Sequence, residues 1–403
     1  MNIPKILVTL MCFYLLPYAF AEHVRTGLDN INEYEDFFQN KKVGIIANHT
    51  AYDSKNRFIY NVFQQMENVE VTALFGPEHG FDGVVEAGEK IEGIQHTETG
   101  IPIYSLYGKT RKPTAEMLED IDILIFDIQD IGCRFYTYIS TMALAMDAAA
   151  ECNKSFVVLD RPNPIRADII EGNILDPAFS TFVGIHPIAV RHGMTIGEIA
   201  KMFNNNQWLS CGKKVNLTII KMTGYKRSMW YEETGLKFIN PSPNMISIDE
   251  AAMYPGMCLF EGTNLSEARG TNQPLMMFGA PWIDAKIITA KLNNTKIPGI
   301  IFEEAEFTPE FSKFANQKCY GSKITVTNRN NIRPFESGIK MIAVISVEYP
   351  DKFQWKIEHF DRLCGTDKIR KAIIGKSLPK SLNNQWLVEL SEFKKVRSEY
   401  LIY

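Results

Sequence analysis

Short apolar, β-branched runs alternate with helical segments in the first part of the chain, and this alternation limits the fold more than any other feature. The runs cover residues 43–47, 69–75, 101–106, 123–128 and 156–159. Runs of this length are typical of strands buried in a parallel sheet with helical crossovers. The segment 137–153, rich in Ala, Met and Leu, predicts one of the helices. The sequence therefore predicts an α/β fold built on a parallel sheet.

A change of pattern near residue 248 predicts a second domain. Beyond it the loops are longer, residues 262–271 are rich in Gly and Asn, and strand and helix signals are mixed. We predict a catalytic α/β domain over residues 22–248 and a smaller α+β domain over residues 249–403 that completes a cleft. Residues 382–403 are predicted to form a long helix with one apolar face, which consists of Trp386, Leu387, Leu390, Phe393 and Val396.

The first 21 residues have the pattern of a secretory signal peptide. Lys5 precedes an apolar run, and Ala19-Phe20-Ala21 supplies the small residues that signal peptidase selects. We therefore expect residues 1–21 to be removed before Glu22, and the protein to be exported, periplasmic or secreted, and soluble. A membrane anchor is the alternative, but the apolar run is shorter than the roughly 20 residues that a spanning helix needs.

The composition argues against several classes of function. The formal net charge of −4 is mild and spread along the chain, which disfavours binding to nucleic acid or to a membrane surface. No GxGxxG follows the first strand, so a dinucleotide cofactor is not expected. The cysteines are scattered, without CxxC or zinc-type spacing. We expect no cofactor and no metal, and the sequence carries no signal of oligomeric state.

Polar residues gather directly after the predicted strands. The clusters are Asn48 to Thr50, Glu78-His79, Tyr107-Gly108, Asp127 to Arg134 and Asp160 to Pro164. In open α/β sheets, ligands bind at the carboxyl ends of the strands. The clusters are therefore predicted to converge on one cleft.

The segment Gly76-Pro77-Glu78-His79-Gly80 is the best candidate for chemistry. Its glycines allow a tight turn that aims neighbouring side chains into the cleft. A carboxyl group against a half-buried wall can keep a proton and act as a general acid, a role that we assign to Glu78. Glu78 and His79 are sequence neighbours and lack the i, i+4 spacing of a helical metal pair. We expect acid/base chemistry here, with a solvated turn as the alternative.

The run from Asp127 to Tyr138 offers further candidates. Asp127 and Asp130 point to opposite faces of an extended chain, so one is expected in the cleft and the other as a brace. Arg134 suits capture of a carboxylate, and Tyr136 and Tyr138 suit stacking on a sugar.

Later segments are predicted to bind substrate or to support the residues that do. Arg161 and Asn163 are held between stiffening prolines. His192 precedes Thr195 and Glu198, which predict a capping box, and it is expected to donate to a ligand or to be structural. The polar loops 241–244 and 261–271 contain Asn264, Glu267 and Arg269, and they form either the far wall of the cleft or plain surface.

These segments resemble the exo-β-N-acetylmuramidase (NamZ) family. The matching stretches are Gly76 to Gly80, Ala87-Gly88-Glu89, Tyr104 to Gly108, Asp127 to Tyr138, Leu159 to Pro164, His192 to Thr195, Pro241 to Asn244, Tyr254-Pro255-Gly256, Glu261 to Asn264 and Arg269-Gly270-Thr271. The resemblance implies a Rossmann-like N-terminal domain with a smaller C-terminal domain over its cleft. It also implies removal of terminal N-acetylmuramic acid from the non-reducing end of peptidoglycan-derived muropeptides or disaccharides, with Glu78 as the acid.

Glycoside hydrolysis needs a second group besides the acid. Three hypotheses are open for it: Asp127 or Asp130, the more distant Glu267, or the acetamido oxygen of the substrate itself. The lactyl carboxylate of muramic acid is expected to bind Arg134, Arg161 or Arg269.

Two other classes of function compete with a glycosidase. One is a non-catalytic exported protein that binds muropeptides in the same cleft. The other is a metal-dependent amidase or esterase built on His79, His192 and Asp130.

Overall fold

The structure, a computed structural model, describes residues 23–83, 94–96, 100–375 and 380–403. The predicted signal peptide and the Ala87-Gly88-Glu89 motif lie outside the described residues. The described chain forms the strands β1 (Lys41–Ala47), β2 (Val69–Gly76), β3 (Ile94–His96), β4 (Pro102–Ser105), β5 (Ile123–Asp127), β6 (Ser155–Leu159), β7 (Glu171–Ile174), β8 (Ala189–Arg191), β9 (Asn216–Ile220), β10 (Met277–Ala280), β11 (Ile300–Phe307) and β12 (Cys319–Val326).

The α-helices of the described chain are α1 (Glu35–Phe38), α2 (Ile59–Gln64), α3 (Tyr138–Glu151), α4 (Ile196–Asn205), α5 (Ile248–Met257), α6 (Ala285–Asn294), α7 (Pro334–Glu348), α8 (Ile357–Cys364), α9 (Lys368–Ile374) and α10 (Lys380–Ser398). Short 3₁₀ helices cover Leu28–Tyr34, Glu116–Leu118, Pro177–Phe179, Tyr231–Thr234 and Cys258–Gly262.

A seven-stranded sheet of order β3-β4-β2-β1-β5-β6-β9 is the centre of the N-terminal part. All neighbouring strands are parallel except β3, which pairs antiparallel with β4 at one edge. The strand order reverses between β1 and β5, so a crevice is expected at their carboxyl ends. The predicted Rossmann-like α/β fold is confirmed, and the five apolar runs correspond to β1, β2, β4, β5 and β6.

The strands are apolar throughout because both faces of the sheet are covered. On β5, Ile125 packs into one buried cluster and Phe126 into the other. Neighbouring residues such as Leu74 and Phe75 on β2 divide in the same way. This is the side-chain alternation that a strand imposes.

The C-terminal part is smaller and contains a three-stranded antiparallel sheet of order β10-β12-β11. One of the two clusters that cover the large sheet continues into this part through Met253 of α5 and Phe335 of α7. Because this cluster is continuous, the two parts share one core. A separate hairpin, β7 with β8, lies in the chain between β6 and α4.

The predicted closing helix forms, but the prediction is wrong in two respects. The helix α10 ends at Ser398, because the last residues leave it to bond the N-terminal part, as when the Ile402 amide donates to Glu198. Phe393 is buried, but Leu387 is 63% exposed and Val396 is 39% exposed, so these two do not pack on the core. Among the described residues, no helix combines the length and apolarity that crossing a bilayer requires.

Candidate active site

A cavity of about 340 Å³ lies where the chain leaving β2 and β4 faces the C-terminal part. The N-terminal part contributes Glu78, His79, Tyr107, Tyr136, Thr137, Ser242 and Asn244, and the C-terminal part contributes Tyr254, Cys258, Glu261, Arg269, His359 and Arg362. The structure therefore brings together five of the predicted site residues, namely Glu78, His79, Tyr107, Tyr136 and Arg269.

Glu78 reaches this cavity because the chain turns sharply after β2. Gly76 leaves no room for a side chain, since a Cβ there would lie 2.7 Å from the Phe81 nitrogen. His79 and Gly80 both have positive φ angles, of 71° and 80°, and the Gly80 amide donates to the Pro77 carbonyl. The turn buries His79 and leaves Glu78 half-buried in the cavity wall.

Two hydroxyl groups hold the Glu78 carboxyl group. The Thr137 hydroxyl donates to Glu78 Oε2 over 2.5 Å. The pKa of Tyr107 is raised by burial and by the charge and hydrogen bond of Glu78, so this phenol stays protonated and donates to the Glu78 carboxyl group. Arg111 lies over the Tyr107 ring at 5.7 Å and helps to fix it.

Aromatic side chains form the floor beside Glu78. The Tyr136 ring lies edge-on to Tyr138 at 4.9 Å and to Tyr254 at 5.5 Å. Tyr138 does not line the cavity; its hydroxyl donates to the Pro241 carbonyl and accepts from Asn48 Nδ2. Asn48 and Tyr138 therefore support the loop 241–244, which supplies part of the cavity wall.

The C-terminal wall is a chain of charged groups. Arg269 pairs with Glu261 at 2.6 Å and with Glu267 at 3.4 Å, and Lys313 pairs with Glu267 at 3.0 Å. Burial raises the pKa of Glu261, but the charge of Arg269 and the hydrogen bond from His359 outweigh it and lower that pKa to about 2. Glu261 is therefore ionised, and Glu267 lies behind the wall rather than on it.

Asp127 and Arg161 form a buried ion pair away from Glu78. Arg161 Nη2 donates to Asp127 Oδ2 over 2.9 Å, and Arg161 Nε donates to the other carboxylate oxygen. Burial raises the pKa of Asp127, although Arg161 opposes this shift. Arg161 lines a different cavity, of about 460 Å³, together with Tyr52 and Gln129. The structure thus does not bring this pair together with Glu78.

Four other predicted residues stabilise the loops behind the site. Asp130 accepts from the Gly132 amide over 2.6 Å and lies 3.6 Å from His192 Nε2. Asn163 donates to the Met194 carbonyl. Arg134, predicted to bind substrate, is 1% exposed and donates to the carbonyls of Asn173, Ile188, Leu363 and Cys364. These are the contacts of a structural residue, so Arg134 is removed from the candidate site.

Asn264 is also structural, since its side chain bonds the backbone of Lys352 and Gln354. Within the described residues, no three His, Cys, Asp or Glu side chains are grouped as metal ligands. His79 lines the cavity of Glu78, whereas His192 and Asp130 do not.

Sequence reasoning missed Thr137, Glu261, His359 and Arg362. Thr137 and Glu261 lie in segments that the sequence predicts to contribute to the site, but the prediction names their neighbours. His359 and Arg362 are three residues apart on α8, a spacing that places them on one helix face. Nothing in that segment signals a ligand site without the tertiary structure.

Comparison with known proteins supplies the family. Family models described as the N-terminal and C-terminal parts of "Exo-beta-N-acetylmuramidase NamZ" match residues 43–249 and 252–403. The chain is 42% identical over 382 residues to the peptidoglycan beta-N-acetylmuramidase NamZ of Bacillus subtilis (strain 168), covering 94% of this chain and 91% of that protein.

Two crystal structures of DUF1343 family proteins from Bacteroides fragilis NCTC 9343 are also similar. One is 36% identical with a TM-score of 0.87, and the other is 31% identical with a TM-score of 0.75. Each similarity covers 94% of this chain and 99% of the other. The chain belongs to the exo-β-N-acetylmuramidase NamZ family.

Proposed function

We propose that this protein is an exo-acting glycoside hydrolase that releases terminal N-acetylmuramic acid from the non-reducing end of peptidoglycan fragments. The observation that carries the proposal is the Glu78 carboxyl group, held by Thr137 and Tyr107 in the cavity between the two parts of the chain. The muramidase activity named for the Bacillus subtilis relative supports it.

The chemistry assigned to Glu78 is proton transfer to the glycosidic oxygen. As that oxygen takes the proton, its bond to the anomeric carbon breaks and the sugar carbon gains positive charge. Water then supplies a hydroxyl group to the carbon, and its released proton restores Glu78. Glu261, which is ionised, lines the same cavity on the side of the C-terminal part and stabilises this developing charge.

The size of the cavity supports action at a chain end. Its volume of about 340 Å³ is at the lower end of the roughly 300–1,000 Å³ typical of ligand pockets. One terminal sugar fits such a space better than a run of sugars does.

We also propose that the protein is exported through a signal peptide at residues 1–21. Mass spectrometry of the mature protein is expected to show an N-terminus at Glu22.

Replacement of Glu78 by Gln tests the function. The variant keeps the shape of the side chain but has no acidic proton. Release of N-acetylmuramic acid from a β-linked disaccharide with N-acetylglucosamine, whose alcohol leaving group must be protonated, is therefore expected to fall about 10²- to 10⁴-fold. Glu304→Gln, an exposed position on β11, is the matched control and should retain full activity.

Undiminished release by a folded Glu78→Gln enzyme would contradict the assignment of the acid. A wild-type protein that binds the disaccharide without cleaving it would instead indicate the muropeptide-binding function.

A further inference from the structure

Arg362 brings an unbalanced positive charge to the wall of the Glu78 cavity. It lies on α8, and its Nε is buried without a hydrogen-bond partner. Its Nη2 donates to His359 Nδ1. No carboxylate in the described part of the chain forms an ion pair with it, and burying a charge without a partner is unfavourable. Among the described residues, the positive charge of Arg362 therefore has no counter-charge from the protein.

The other arginines considered for this role are already occupied. Arg269 lines the same cavity but pairs with both Glu261 and Glu267. Arg161 pairs with Asp127 in the second cavity, and Arg134 is used by four backbone carbonyls. Arg362 is thus the guanidinium best placed to bind a ligand anion in the Glu78 cavity.

Neighbouring groups orient Arg362 towards the cavity. His359 Nε2 lies 3.4 Å from Glu261 Oε2, so this nitrogen carries the proton that faces the carboxylate. His359 Nδ1 is then the acceptor for Arg362, which fixes one end of the guanidinium and leaves its other N–H groups for a ligand. Tyr107, which contacts Glu78, lies within electrostatic range of Arg362.

We propose that Arg362 binds the lactyl carboxylate of N-acetylmuramic acid and thereby selects this sugar over N-acetylglucosamine. This inference rests on the proposed function. The two sugars differ only in the lactyl ether, whose carboxylate is the single anionic group of the terminal residue. A guanidinium can hold a carboxylate with two parallel hydrogen bonds, and N-acetylglucosamine offers nothing for it to bind.

Two chromogenic substrates test the proposal, the 4-nitrophenyl β-glycosides of N-acetylmuramic acid and of N-acetylglucosamine. In Arg362→Gln, kcat/KM for the muramic glycoside is expected to fall about 10- to 100-fold, as loss of a charge-assisted hydrogen bond does. The slow reaction of the glucosamine glycoside should fall much less, so the preference between the sugars collapses. Arg362→Lys keeps the charge without the fork and should give an intermediate preference.

Arg370→Gln is the matched control. Arg370 lies on α9, pairs with Asp361 and does not line the cavity, so its loss should leave the preference between the sugars unchanged. Circular dichroism and thermal unfolding establish that each variant is folded before its rates are compared.

The substrate provides a second test that needs no variant. Converting the lactyl carboxylate to a carboxamide should lower the wild-type kcat/KM by about the same factor as Arg362→Gln, because both remove one charge of the same pair. Equal rates on the two forms would overturn the proposal, and so would an unchanged preference in folded Arg362→Gln. If the wild-type enzyme is inactive on every muramic glycoside, the proposed function itself is overturned, and the proposal for Arg362 fails with it.

Discussion

At the residue scale, charge pairing separates the two carboxylates that could assist Glu78. Glu261 is ionised and lines the cavity, whereas Asp127 is wholly buried against Arg161 elsewhere. A fixed negative charge stabilises the positive sugar in the transition state, so Glu261→Gln is expected to lower kcat about 10²-fold or more. Asp127→Asn should instead destabilise the fold by about 3–5 kcal/mol, because it leaves Arg161 buried and unpaired.

Measuring kcat on the muramic glycoside and the thermal midpoint for both variants distinguishes these roles. The expected pattern is a loss of rate for the Glu261 variant and a loss of stability for the Asp127 variant. The reverse pattern would return Asp127 to the catalytic candidates. If Glu261→Gln retains its rate, the acetamido oxygen of the substrate becomes the better second group.

The same contrast explains which site residues could be predicted from the sequence. Glu78 and Tyr107 were identifiable because each follows a recognisable strand, and strand ends meet at one edge of a sheet. Asp127 and Arg161 also follow strands, but pairing with each other removed them from the cavity of Glu78. Arg362 follows no strand and joins Glu78 only through the packing of the two domains, which local sequence does not encode.

At the scale of elements, Asp160 ties three segments together beyond the end of β6. It accepts from the Gly197 amide and the Thr195 hydroxyl at the start of α4, and from the hydroxyl of the terminal residue Tyr403, each over 2.8 Å. The predicted capping box of Thr195 and Glu198 forms in the same place. These contacts explain why the chain leaves α10 at Ser398, a change of direction that the apolar pattern of the helix could not reveal.

Asp160 gives a prediction for the pH dependence of stability. Burial raises its pKa from the ordinary 3.8 to about 7 despite the hydrogen bonds that oppose the shift, so the folded protein holds a proton that the unfolded chain releases. The stabilisation is complete below about pH 4 and is lost as pH rises to about 7, at up to roughly 1.4 kcal/mol per pH unit. Asp160→Asn, which imitates the protonated form, should remove this loss.

Thermal midpoints between pH 4 and pH 7 check the difference between wild type and Asp160→Asn. The difference is the informative quantity, because burial also raises the pKa of Glu171 and of Glu250 to about 7. The midpoint of the variant should fall less steeply with pH than that of the wild type. Parallel profiles would show that Asp160 is ionised throughout in the folded protein.

At the scale of the whole molecule, Arg134 connects the two domains beneath the active site. Its Nη1 donates to the carbonyls of Asn173 on β7 and of Ile188, which immediately precedes β8. Its Nη2 donates to the carbonyls of Leu363 and Cys364 at the end of α8. Burial lowers the pKa of Arg134 to about 10, which leaves it protonated near neutral pH. Because α8 also carries His359 and Arg362, this contact couples the stability of the molecule to the geometry of the cavity.

Arg134→Met tests this coupling, because it keeps much of the side-chain volume and removes every donor. The Ile188 and Cys364 carbonyls keep a second donor, the Leu175 amide and the Asn173 side chain respectively, so the loss falls mainly on the Asn173 and Leu363 carbonyls. Each buried carbonyl left unpaired costs about 1–3 kcal/mol, so unfolding should remain a single transition but lose a few kcal/mol of stability. The kcat/KM for the muramic glycoside should fall as well, since α8 loses its support. Arg329→Met, which breaks partly exposed ion pairs with Glu232 and Asp249, is the matched control and should cost about 1 kcal/mol. A single transition with an unchanged midpoint and an unchanged rate in Arg134→Met would show instead that the domains are held together by their shared apolar core and that Arg134 does not position α8.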